Sequence, residues 1–103
     1  MPVGTDQFTA YHVHLFATSS VTIDLTTHAQ GPQIVMGANS EPAKRPCRMI
    51  EVDSAVAGTT VEITLPNGTQ KVLTRNASAG RKFEVHVKKI LPATSVTSLI
   101  VYW

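Results

Sequence analysis

The chain has 103 residues, room for one domain and one core. Hydrophobic residues make up 43% and charged ones 16%, below the roughly 25% usual in soluble domains. With 13 Thr, 12 Val and 6 Ile the chain is rich in β-branched residues, which favour strands and argue against a helical bundle or a disordered tail.

The net charge of +2 is small, and the basic residues are scattered in pairs. A nucleic-acid binder of this size gathers a larger excess on one face and mixes it with stacking aromatics, so no specific nucleic-acid partner is expected. No apolar run is long enough for a transmembrane helix, and no membrane partner is expected. The opening MPVGTDQFTAY has no basic region followed by an apolar stretch, so no secretory signal is expected either. The single cysteine, Cys47, excludes an intramolecular disulfide and a four-cysteine zinc site, and it fits a reducing compartment.

Residues 1 to 10 are mixed and polar, with Pro2 and Gly4, and read as an arm. Residues 1–16 are thus an N-terminal arm and first strand, and residues 17–103 a single β domain. Tyr11 to Phe16 alternates weakly. Ser20 to Leu25 alternates cleanly and predicts a strand with Val21, Ile23 and Leu25 on its buried face. Gln33 to Met36 is a short apolar run between Gly31-Pro32 and Gly37. Residues 37–47 carry Pro42 and Pro46 and almost no large apolar group, so they are expected to form the longest loop.

From residue 48 the alternation strengthens. Arg48 to Asp53 and Thr60 to Leu65 are predicted strands. Asn67-Gly68 predicts a hairpin returning through Gln70 to Thr74. Phe83 to Leu91 is expected to form one long strand, and Thr97 to Trp103 the last. Short helical turns could fit only at 26–30 and 93–98. Together these elements predict an all-β fold, a small antiparallel β-sandwich or barrel of about seven strands.

Few residues suggest chemistry. His12 and His14 share a face of one strand and could together hold a metal ion, but no Asp, Glu or Cys at a telling spacing supplies a third ligand. They read better as exposed or interface histidines. Arg48 could lower the Cys47 thiol pKa, but no base is placed beside it by the sequence, so a small buried cysteine is the simpler reading. Asn67-Gly68-Thr69 and Asn76-Ala77-Ser78 match the glycosylation pattern but lie where turns need Asn and Ser. No nucleophile elbow or phosphate loop is present, and neither an enzyme, a metal nor a cofactor is expected. The apolar end Leu99-Ile100-Val101-Tyr102-Trp103 should be covered on both faces, by the core or by a neighbouring subunit.

The C-terminal half is an ordered set of parts: Arg48-Met49-Ile50-Glu51-Val52, the Thr60 to Thr74 hairpin, Phe83-Glu84-Val85-His86-Val87-Lys88-Lys89-Ile90, the turn Pro92 to Ser98, and Leu99 to Trp103. Over residues 48–103 this order resembles the small spike base and capsid-associated virion proteins of tailed phages and gene transfer agents. Val21 to Leu25 could fill the place of that family's first strand. The turn before the last strand has Ser95 and Val96 where the family usually has a Gly. The resemblance implies a non-enzymatic structural protein, made in the host cytoplasm and attached to the outside of a phage capsid as vertex spike base or decoration (cement) protein. It further implies capsid protein as partner, a homo-oligomer (pentamer or trimer), and a fibre protein carried in the spike base role. The candidate subunit or capsid interface residues are Phe8, Tyr11, His12, His14, Lys44, Arg45, Tyr102 and Trp103. The alternative is a monomeric β-sandwich module binding carbohydrate or a host surface through exposed aromatics such as Tyr11 or Trp103.

Overall fold

A computed structural model describes residues 12–18 and 20–103. Among them there is no helix, and ten strands follow in order: β1 (Val13–Ala17), β2 (Ile23–Asp24), β3 (Gln33–Met36), β4 (Asn39–Pro42), β5 (Met49–Ser54), β6 (Val61–Thr64), β7 (Gln70–Thr74), β8 (Lys82–Phe83), β9 (Lys89–Ile90) and β10 (Ser98–Tyr102). They form two four-stranded sheets, ordered β1-β10-β5-β8 and β2-β9-β6-β7, and a separate two-stranded sheet β3-β4. Every pairing is antiparallel. The fold is thus a small β-sandwich and not a closed barrel.

Period-two alternation builds the core. In the first sheet Phe16 lies opposite Leu99, Leu99 opposite Val52, and Val101 opposite Ile50, and all five are buried. The second sheet contributes Val61, Ile63 and Ile90, with Leu25 just beyond β2. These residues join Cys47, Ala77, Val87, Val96 and Trp103 in one hydrophobic cluster. Buried apolar area of this kind contributes about 25 cal/mol per Å².

Turn chemistry fixes the hairpins. Leu65 N–H donates to Thr69 O at 2.8 Å, Asn67 Oδ1 accepts the Thr69 N–H at 3.0 Å, and Gly68 takes φ 91°. That is a hairpin loop with its glycine in the left-handed region.

Three sequence expectations need correction. Residues 37–47 are not one loop: Met36 pairs with Asn39 across Gly37-Ala38, and β4 occupies the loop's first part. Gly37 at φ 63° supplies the tight turn, and Pro42 is tolerated because it sits at the end of a free strand. The expected strand Phe83 to Leu91 is broken in two. β8 pairs with β5 in the first sheet, the backbone bends where Val85 N–H donates to Phe83 O at 3.0 Å, a bridge joins Val87 to Cys47, and β9 pairs in the second sheet. The alternation of Phe83, Val85 and Val87 with exposed Glu84 and His86 survives the crossing, because the chain turns a corner of the sandwich. The Ser20 to Leu25 strand shrinks to β2, and Val21 is exposed.

Candidate assembly surfaces

The turn after β2 sets the histidine environment. Asp24 Oδ1 accepts the Thr26 N–H at 3.0 Å and the Thr26 hydroxyl at 2.6 Å, which holds the chain in a turn. The Asp24 carboxyl lies below its ordinary value. Burial opposes that shift, and the Thr26 hydroxyl, the Thr26 N–H, Lys89 and Lys88 outweigh it. The turn brings His28 edge-on to Phe16 at 4.9 Å between ring centroids.

His12 and His14 do share a face, as their spacing predicts, but it is the face that packs inward. His14 meets Phe16 edge-on at 4.7 Å, and His12 meets Trp103 edge-on at 5.3 Å. His12 Nε2–H donates to Gln30 O at 2.5 Å. Both side chains are half-buried rather than freely exposed. Among the described residues no group of three His, Cys, Asp or Glu side chains could hold a metal ion.

Trp103 is only 2% exposed. Its indole N–H donates to Leu25 O at 3.0 Å. A Cβ on Gly31 would stand 3.3 Å from Trp103 Cζ2 and 3.2 Å from His28 O, so glycine is what lets this loop lie on the indole. The inner side of the apolar chain end, Leu99, Val101 and Trp103, is therefore covered by this chain's own core, whereas Ile100 and Tyr102 on the other side are only half-buried; Trp103 offers no ring to a subunit, a capsid or a glycan. Tyr102 faces the other way, half-buried, with its hydroxyl donating to Glu51 Oε1 at 2.7 Å. That bond to the carboxylate raises the phenol pKa, with burial and the Glu51 charge adding to it.

Lys44 and Arg45 are exposed in the segment between β4 and Cys47. Lys44 lines an open cleft of about 310 Å³ with Thr26, Thr27, Pro46, Pro66 and Lys88. Phe8 and Tyr11 lie outside the described residues. Cys47 is fully buried, and burial pushes its thiol up to about 11, against what its neighbour Arg48 suggested.

Two surfaces extend beyond the candidate residues named from the sequence, of which, among the described residues, only Tyr102 lies on one of them. The first is the β3–β4 hairpin. It pairs with neither sandwich sheet, and residues 33–41 are all exposed, including Ile34 at 47%, Val35 at 73% and Met36 at 52%. An apolar run ended by a glycine looks the same whether it faces a core or solvent, so only its placement marks it. The second is the outer face of the first sheet, where Val13 lies opposite Tyr102, Tyr102 opposite Met49, and Leu15 opposite Ile100. At one end of it, Val13, Arg48, Met49, Glu84 and Tyr102 line an open groove of about 410 Å³.

Comparison with protein-family models, curated proteins and solved structures gave no match for this chain. The sandwich and its two exposed apolar surfaces therefore carry the functional reading.

Proposed function

We propose that this chain is a structural subunit of a phage virion, attached to the outside of the capsid as a vertex spike base or a decoration (cement) protein. The observation that carries the reading is the β3–β4 hairpin, which holds Ile34, Val35 and Met36 in solvent on a two-stranded arm separate from the sandwich. Contiguous exposed apolar residues mark contact surfaces, and a hairpin braced by its own ladder presents them without ordering on contact. The order of parts over residues 48–103 supports the virion class. The role is one of contact and not of catalysis.

The test is co-sedimentation of the purified protein with undecorated capsids of its phage. Saturable binding is expected, with about five copies per vertex for a spike base and far more for a cement protein. Val35→Asp should weaken binding at least tenfold while the melting temperature stays within about 2 °C, because the side chain is exposed. A wild-type chain that ignores capsids, or a Val35→Asp variant that binds as well as wild type, would overturn the reading.

A further inference from the structure

We propose that the free edge of β1 pairs antiparallel with β1 of a second copy, about a two-fold axis through Leu15. The first observation is backbone geometry. Trp103 N–H donates to His12 O at 2.8 Å, and Thr18 N–H donates to Thr97 O at 3.2 Å. Residues two apart on a strand turn their backbone groups the same way. His12, His14, Phe16 and Thr18 therefore face β10, and Val13, Leu15 and Ala17 turn their N–H and C=O groups away from it. β1 is the end strand of its sheet, and no described strand lies on that side. A row of outward donors and acceptors is a template for another strand.

The second observation is that β1, unlike the other described sheet edges, carries neither charge nor brevity as a guard. The sandwich has three other sheet edges. β8 is two residues long and carries Lys82, β2 is two residues long and carries Asp24, and β7 carries Lys71 at an exposed position. Brevity and charge are what keep sheet edges from pairing. β1 is five residues, Val-His-Leu-Phe-Ala, with no Lys, Arg, Asp, Glu or Pro.

The third observation selects the occupant. A two-fold contact sets each residue against its own symmetry mate or its mirror position. About Leu15, Val13 of one copy faces Ala17 of the other, and Leu15 faces Leu15. Each of these opposing pairs exchanges two backbone hydrogen bonds. Val13 and Leu15, 49% and 53% exposed, then form one apolar row across the axis, continuous with Ile100 and Tyr102 on the same face. On the inner face His14 comes opposite Phe16 of the other copy, the pairing that these two rings already make within one chain. No like charges meet anywhere along the strand. Main-chain bonds alone would accept any extended strand, and the apolar and aromatic match about Leu15 is what favours a second copy.

One strand pair is a small interface by the standard of stable complexes, so association should rise with concentration. The pairing does not depend on the capsid reading: it needs only this edge and a second chain.

Sedimentation equilibrium over a wide concentration range tests it. The wild-type chain should pass from one chain mass to two. Leu15→Lys sets two ammonium groups on the axis and should weaken association at least tenfold. Leu15→Pro removes an outward N–H and none that β10 uses, and should do the same. Leu15→Cys should cross-link into covalent dimers with a short bismaleimide, and Val56→Cys, exposed elsewhere at 69%, should not. Buried Cys47 leaves the wild-type control unlabelled. Each variant is checked for a cooperative melt. If Leu15→Pro fails to fold, Leu15→Lys decides, because its side chain stands in solvent. A wild-type monomer at every concentration would overturn the proposal. So would association that Leu15→Lys leaves unchanged, or cross-linking as strong from Val56→Cys. A closed trimer or pentamer insensitive to Leu15→Lys would refute the two-fold pairing and leave capsid attachment standing.

Discussion

Cys47 sits between the two sheets, exchanging backbone hydrogen bonds with Val87 at 3.1 and 3.3 Å. Its thiol titrates near 11 when folded, against 9.0 for a free side chain. Because the folded state holds the proton to higher pH, the Cys47 contribution to stability is constant below pH 9 and falls as pH rises from 9 towards 11, by about 1.4 kcal/mol per unit at most. A thiol reagent at pH 8 should leave the native protein unlabelled and react fully once the chain is unfolded in denaturant. Asp24 has the opposite sign. Its lowered carboxyl adds stability above the ordinary value of 3.8, and that contribution is lost as pH falls through the folded value. Asp24→Asn should therefore flatten the acid limb of a stability–pH profile measured by urea unfolding. Lys44 holds φ at 58°, in the left-handed region that L side chains avoid. Lys44→Gly should leave stability unchanged or raise it by up to about 1 kcal/mol in the same assay, since glycine takes this conformation without steric cost.

Elements differ sharply in how much they owe to their neighbours. β10 lies between β1 and β5 and is followed by Trp103, whose ring packs on Gly31 and whose indole N–H is bonded to Leu25 O. Trp103→Ala should cost about 3–5 kcal/mol in denaturant unfolding, as large-to-small changes at buried aromatics do. The turn before β10 is anchored by Thr94. Its hydroxyl donates to Glu62 O and accepts from Glu62 N–H, both at 2.9 Å, while its side chain is buried. Thr94→Val keeps the shape and takes the acceptor from the Glu62 N–H, while Glu62 O keeps the Leu91 N–H at 2.9 Å, so a loss of about 1–3 kcal/mol is expected in the same measurement. The β3–β4 hairpin is the contrast. It is closed at its base by Ala43 N–H donating to Pro32 O at 2.9 Å and shares no ladder with the sandwich. Amide exchange should be faster there than in β5, β6 or β10 by several orders of magnitude, because opening it exposes no core.

At the scale of the molecule the body is elongated, with principal extents of 46 × 28 × 23 Å. Among the described residues its apolar surface is concentrated rather than scattered. Of the exposed large apolar side chains, Val13 and Leu15 lie on one strand and Ile34, Val35 and Met36 on another, with Val21 and Val56 apart from them. A chain with two separate sticky surfaces can contact a copy of itself through one and a different partner through the other. On the two proposals, β1 serves self-pairing and the hairpin capsid attachment. Combining Leu15→Lys with Val35→Asp should give the sum of the two single effects in native mass and capsid binding, since the surfaces lie on different sheets and share no strand.

The fold class was legible because β-branched residues at period two can bury a face only as strands. Ile50 and Val52, Val61 and Ile63, and the Asn67-Gly68 turn are where the alternation placed them. The reach of each strand was not legible. Phe83, Val85 and Val87 alternate across a corner as they would along one ladder, and the pattern records which face is buried but not which sheet pairs with it. The candidate residues divide for the same reason. Apolarity placed Trp103 and Ile34 in one category, but packing against Leu25, Gly31 and His12 buries the first, and nothing in either sheet covers the second. His12 and His14 share a face by spacing alone, and the turn at Asp24 made that face an aromatic wall rather than an open one. The sequence by itself determined strands, turns and an apolar core. Only the tertiary structure decided which apolar residues stay in solvent, because exposure depends on what the rest of the chain brings alongside.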